Sequence, residues 1–318
     1  MELDQAVRTF LSTKPDSGDP HAPIAQRRST IHAGTDTLFE MFGRPVAAAH
    51  GEHDVELTVA GGGRIRLRVY RPSDEVGLPI HVFLHGGGFW LGSIDEEVNQ
   101  AMCRRRCTDA GCVVVAVDYR LAPEHRFPIP VEDCYAGLRW AVEHATEIGG
   151  DPANVSLGGV SAGATLAAAV ALLVRERGST PLRLQLLEVP PLDLTLDGMR
   201  ASGVGDDFGI TVDEMALCRD LYLSPHDDAR TPLASPLHAD DLAGLPTTKI
   251  MTAQFDPLRH DGERYAERLR AAGVPVSYSC YLGAVHGSLA LTGTWPTARA
   301  WQDDLLQTLR DAHFPSHA

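Results

Sequence analysis

The chain has 318 residues, 44 % apolar and 22 % charged, with 28 basic and 42 acidic side chains and a formal net charge of −14. That length buries a substantial core and suits one large α/β domain with an insertion, or two smaller domains. The acidic balance argues against nucleic acid and anionic membranes as partners, and the longest apolar run, residues 162–174, is too short to cross a bilayer.

Residues 1–50 read as helical and irregular. Leu3, Ala6, Val7, Phe10 and Leu11 recur at helical spacing, Pro15, Pro20 and Pro23 interrupt them, and a second helix is expected over Ile24–Phe42. From about His53, Val55, Leu57 and Val59 alternate with polar residues. Gly61, Gly62 and Gly63 follow, then Ile65, Leu67 and Val69 alternate again, as in a hairpin. Strands are expected at 80–84, 112–117, 154–157, 184–189, 248–253 and 274–281, and helices at 97–110, 131–148, 165–174, 261–272 and 297–312. Residues 190–245 are irregular apart from a helix near 212–223. Strands alternating with helices after one opening hairpin predict an α/β fold, with a mostly parallel sheet covered on both faces.

Gly159-Val160-Ser161-Ala162-Gly163 fits a nucleophile elbow: a serine on a sharp strand-to-helix turn needs small neighbours for the chain to pass. The pattern also arises by chance in Gly/Ala-rich chains, so its partners matter. A serine hydroxyl needs a base, and in an open parallel sheet working residues gather at the carboxyl ends of strands. Asp256 follows the strand at 248–253, and His286 follows the strand at 274–281. The order Ser161, Asp256, His286 is that of serine hydrolases on such sheets. Read separately, Asp256 before Pro257 is also a plausible helix cap, and any one of fourteen histidines can fall in a loop. His85-Gly86-Gly87-Gly88 supplies backbone N–H groups that can approach a developing oxyanion, Gly86 and Gly87 with Ala162 beside the serine. A phosphate loop is the alternative, but the glycine spacing and the missing Gly-Lys-Ser/Thr disfavour it.

With these pieces placed, the chain resembles the hormone-sensitive-lipase-like esterases and lipases of the α/β-hydrolase superfamily, from about residue 78 to the end. The resemblance rests on His85-Gly86-Gly87-Gly88-Phe89, Asp118-Tyr119-Arg120-Leu121-Ala122-Pro123-Glu124-His125, Gly159 to Gly163, Ser235-Pro236, Asp256-Pro257-Leu258 and His286-Gly287. It implies an α/β-hydrolase fold with about eight strands. It also implies a helical cap built from residues 1–50 and part of 190–245, with 51–189 and 246–318 as the catalytic core. The activity it implies is hydrolysis of short- to medium-chain carboxylic esters by the triad Ser161, Asp256 and His286. An amidase, a lactonase or a non-catalytic ligand-binding protein are the alternatives on the same fold. Two departures stand out: Val160 where the family usually has Asp, and Glu188 where it is usually apolar.

Trp90, Phe208, Leu217, Phe39 and Phe42 are candidates for the substrate pocket, each also readable as ordinary core. No cofactor or metal is called for, since Cys103, Cys107, Cys112, Cys134, Cys218 and Cys280 form no C-x-x-C pair and read as reduced thiols. With no basic and apolar leader at Met1-Glu2-Leu3-Asp4-Gln5, a cytoplasmic location is expected. Family relatives sometimes pair sheet edges, which makes the last strand a possible homodimer surface.

Overall fold

The alternation of apolar and polar residues that opens the sheet is realised as an antiparallel pair, β1 (Gly51–Thr58) and β2 (Arg64–Arg71), with Val55 opposite Leu67 and Leu57 opposite Ile65. In this computed structural model, which describes residues 3–13, 22–178, 180 and 182–315, the turn between them is a short 3-10 segment. Its Gly61 and Gly62 take positive φ (75° and 76°), which glycine adopts without a Cβ clash. The helix breakers Pro15 and Pro20 lie outside the described residues.

Six more strands complete the sheet: β3 (Leu78–Leu84), β4 (Val113–Asp118), β5 (Gly150–Val160), β6 (Leu182–Glu188), β7 (Thr247–Ala253) and β8 (Val276–Tyr281). Their spatial order is β1-β2-β4-β3-β5-β6-β7-β8. β2 runs antiparallel to both its neighbours, and every later pairing is parallel. β8 starts two residues later than the pattern suggests. The Val274 N–H closes the end of the preceding helix on Leu269 O, and Pro275 has no N–H to give.

The helices are α1 (Gln5–Thr13), α2 (Ile24–Phe42), α3 (Glu97–Ala110), α4 (Ile129–Glu143), α5 (Ala162–Arg177), α6 (Asp197–Ala201), α7 (Val212–Tyr222), α8 (Arg259–Ala271) and α9 (Pro296–His313). Side chains of α4, α5 and α8 join one core with the Ile80, Val82 and Leu84 face of the sheet; those of α3 and α9 join another with the Phe83, Val114 and Leu186 face. The two faces explain why β3 and β4 read as nearly unbroken apolar runs. Helix α5 is buried along almost its whole length and ends at Gly178 in the left-handed region. Helix α4 stops at Glu143, five residues short of the expected end, and residues 144–149 continue as turns. The six cysteines are all unpaired. No helix among the described residues is long and apolar enough to cross a membrane.

Candidate active site

Ser161 stands where β5 turns into α5, with φ 53° and ψ −122°, a left-side conformation that a non-glycine residue rarely holds. The sequence permits it because its neighbours are small. A Cβ on Gly159 would lie 2.5 Å from the Gly163 backbone, and one on Gly163 would lie 2.1 Å from Leu84 O. The Ser161 N–H donates to Glu188 O on the next strand at 2.8 Å, and its carbonyl accepts from Ala164 and Thr165.

Two loops from other strands meet this hydroxyl. Asp256 follows β7, is 1 % exposed, and accepts His286 Nδ1–H on Oδ2 at 2.7 Å. Its other oxygen accepts the Leu258 N–H at 2.9 Å. The cap-like role and the pairing with histidine, alternatives on paper, are therefore held by two oxygens of one carboxylate. With Nδ1–H donated to the carboxylate, Nε2 keeps its lone pair and accepts from Ser161 Oγ at 3.1 Å. Residues separated by 125 and 30 positions form one line, and Ser161 and His286 are half-buried at its open end.

The glycine loop passes directly beside the serine: a Cβ on Gly86 would lie 3.1 Å from Val160 O and 3.5 Å from Ser161 Cβ. Gly87 has φ 120°, and a Cβ there would meet Leu91 O at 2.2 Å. The Trp90 and Leu91 N–H groups both donate to Gly87 O, fixing the turn. Gly88 lies against Cys218 of α7, where a Cβ would come within 2.4 Å of Sγ. The N–H groups of Gly86, Gly87 and Ala162 have no acceptor among the described residues. Ala162 opens α5, so its N–H also belongs to the positive end of that helix. His85 is buried, stacks on Tyr119 at 4.2 Å, and donates Nδ1–H to Gly86 O at 2.8 Å. Burial lowers its pKa, so it stays neutral and buttresses the loop.

Of the pocket candidates, Phe208 stacks on Phe255 at 4.8 Å, next to Asp256. Trp90 is buried in the core beside the glycine loop, with the Arg27 guanidinium 4.8 Å from its ring. Phe42 packs edge-on against Phe10, whose ring in turn lies 3.4 Å from where a Cβ of Gly287 would be. Phe39 lines a crevice with Arg44, Met102 and Leu289, and Leu217 is partly exposed on α7. Sequence spacing does not mark Phe10 or Phe255, which lie beside Gly287 and Asp256, for the pocket. Their signal was present only in place: Phe255 adjoins Asp256, and Phe10 sits on the apolar stripe of α1.

The departure at Glu188 is resolved in unexpected company. Its carboxylate is fully buried, paired with the Arg106 guanidinium and accepting Trp301 Nε1–H at 2.8 Å.

A profile of the α/β hydrolase fold family matches residues 81–290. The chain is 42 % identical to the carboxylic ester hydrolase LipN of Mycobacterium tuberculosis, over 80 % of this chain and 69 % of that protein. It is 38 % identical to an arylesterase of Saccharolobus solfataricus, over 70 % and 72 %. Among solved structures, a hyperthermophilic esterase of the archaeon Pyrobaculum calidifontis superposes with a TM-score of 0.90 at 35 % identity, covering 98 % of this chain and 99 % of that one. The match spans fold and sequence together, and the chain belongs to the α/β-hydrolase family, in its hormone-sensitive-lipase-like esterase branch.

Proposed function

We propose that Ser161, His286 and Asp256 hydrolyse short- to medium-chain carboxylic esters through an acyl-serine intermediate. The observation that carries this reading is the unbroken line from Ser161 Oγ through His286 to Asp256. His286 Nε2 takes the hydroxyl proton as Ser161 Oγ attacks the ester carbonyl carbon. Asp256 keeps the imidazole in the required tautomer and stabilises the imidazolium. The N–H groups of Gly86, Gly87 and Ala162 receive the developing oxyanion; losing one such donor typically costs about a hundred- to a thousand-fold in rate. His286 returns the proton to the leaving alkoxide. It then activates a water, which releases the acid and regenerates Ser161.

The chain is a carboxylic ester hydrolase by its relatives, several of which bear that name or are named esterases. The amidase, lactonase and binding-protein readings are not favoured. Helices α1 and α2, with the part of 190–245 that carries α6 and α7, form the cap, and Phe208, Phe255 and Phe10 the apolar wall near His286. The unpaired thiols fit a reducing, cytoplasmic compartment, and β8, an edge of the sheet, is the surface for self-association.

The test is hydrolysis of p-nitrophenyl esters from acetate to palmitate by wild type and Ser161→Ala. Turnover that peaks at short to medium chains and vanishes in the variant supports the assignment. Wild-type turnover in pure, folded Ser161→Ala overturns it.

A further inference from the structure

Three features meet at the carboxyl end of β6. The Glu188 main-chain carbonyl accepts the Ser161 N–H at 2.8 Å, in register with Val160. The next residue, Val189, has φ 43°, an outlier for a β-branched side chain, and its N–H donates to Met251 O at 2.8 Å. The Glu188 side chain points the other way, into the layer under the sheet. There Arg106 of α3 and Trp301 of α9 hold its two oxygens. Two residues with positive φ just past the ends of adjacent strands, Ser161 after β5 and Val189 after β6, are thus tied to one residue fixed from behind by two helices.

Nothing about stability calls for an ion pair in this place. Arg106 is 1 % exposed, and its Nε and one terminal nitrogen have no partner among the described residues. Its guanidinium also lies over the Phe83 ring, 4.6 Å from the centroid. Buried pairs with unsatisfied donors are usually no better for stability than apolar residues of similar volume. Burial pushes the Glu188 carboxyl up, while Arg106 and the Trp301 donor oppose that shift.

We infer that the Arg106–Glu188–Trp301 cluster positions the nucleophile: it locks the Glu188 main chain, and through the Ser161 N–H bond that carbonyl holds the serine in its strained turn. Glu188 is a positioning residue and touches no substrate. This rests on Ser161 being the nucleophile.

Removing one charge alone strands the other, and such a variant fails by unfolding. The informative variant therefore removes both charges, Arg106→Met with Glu188→Leu. A second, Trp301→Phe, removes one donor and keeps both charges. Both are compared with wild type for thermal midpoint and for the burst rate of p-nitrophenolate release against p-nitrophenyl acetate concentration. Active sites are counted by fluorophosphonate titration. The expected result is a folded double variant whose acylation is slowed about tenfold per titrated site while the substrate dissociation constant, read from the burst rate against concentration, is little changed, and a smaller slowing in Trp301→Phe. A purely structural role would move the midpoint and the number of titrated sites, not the rate at each. A double variant that folds and acylates at the wild-type rate overturns the inference; if it does not fold, a wild-type rate in Trp301→Phe does so. Wild-type protein that carries no phosphonate on Ser161 would instead bring down the functional reading itself.

Discussion

Two serines five residues apart, Ser156 within strand β5 and Ser161 on the turn at its end, are each hydrogen-bonded to a histidine. Ser161 donates to His286 at 3.1 Å. Ser156 bonds His313 Nε2 at 2.8 Å and His81 Nδ1 at 2.8 Å. Bond length does not separate them; their surroundings do. His286 leans on a carboxylate, whereas His313 Nδ1 bonds the amide oxygen of Asn154 at 2.8 Å. An amide can fix a tautomer but does not stabilise an imidazolium as an anion does. Ser161 sits on the strained turn at the strand's end, beside N–H groups with no partner among the described residues. Ser156 lies mid-strand with no exposed surface, surrounded by His81, His313 and Ile80 O. A serine–histidine pair is therefore a site only where a substrate carbonyl and an oxyanion can both be received; elsewhere the same pair is a way of satisfying buried polar groups.

The largest expected effect separates the two pairs outright. Ser161→Ala lowers kcat on the order of a million-fold, as in other serine hydrolases. Adding Asn154→Asp to that variant gives the inner pair its missing acid, and p-nitrophenyl acetate turnover is expected to stay at the level of Ser161→Ala. Recovered turnover would mean that the inner serine can be reached.

Next comes the pH dependence of the inner pair. Burial lowers the pKa of His313 to about 4 from an ordinary 6.5, and that of fully buried His81 well below 6.5. The folded state thus keeps these rings neutral while the unfolded chain protonates them near pH 6.5. Their contribution is complete above that pH and is lost as the pH falls towards about 4. For His313 the difference amounts to about 3 kcal/mol. Glu96 and Asp261, pushed up by burial to about 7, work in the opposite direction over the same range. The measurement is therefore a difference: urea stability of wild type minus that of His313→Gln, which should shrink between pH 7.5 and 4. A constant difference would deny His313 any role in acid lability.

Ser156→Ala is the counterpart of the first experiment. It leaves His81 and His313 with orphaned ring nitrogens in the core, at a cost of about 1–3 kcal/mol. Ester turnover at neutral pH should stay within about twofold of wild type, since nothing at the carboxyl end of the strand changes. Urea midpoint and kcat together check this, and a loss of turnover at unchanged stability would count against the division of roles.

The outer site was legible in sequence because each part needs a rare residue in a recognisable place. Glycines mark the elbow and the loop that passes beside it, and an acid and a histidine follow the last two strands. The fold was legible for a related reason: the hairpin alternation at 55–69 and the apolar run at 113–117 report sheet faces directly. The inner network was not. A serine and a histidine in apolar strands give no sign that they face each other across β3 and β5, or that His313, 157 residues on, closes over them. Glu188 stood out as a charge in a strand, but its partner Arg106, 82 residues earlier, is one of three consecutive arginines with no local sign of which turns inward. Aromatic pocket candidates were the least legible, because a buried ring in the core and a ring beside the substrate obey the same spacing.

Phe208 offers the smallest and most local effect. Its ring is half-buried, stacked on Phe255 immediately before Asp256, in the segment between β6 and β7 assigned to the cap. If these rings line the substrate, Phe208→Ala removes apolar contact that ground state and transition state share. KM then rises while kcat stays nearly constant. A partly exposed ring contributes about 1 kcal/mol of such contact, so the rise should be about fivefold. It should also grow from acetate to hexanoate esters, because the longer chain reaches more of the missing surface. Val76→Ala, exposed in the loop between β2 and β3, serves as the control and should leave both constants unchanged. A fall in kcat at constant KM would instead mean that the Phe208–Phe255 stack supports Asp256, and would move Phe208 from the pocket wall to the catalytic line behind it.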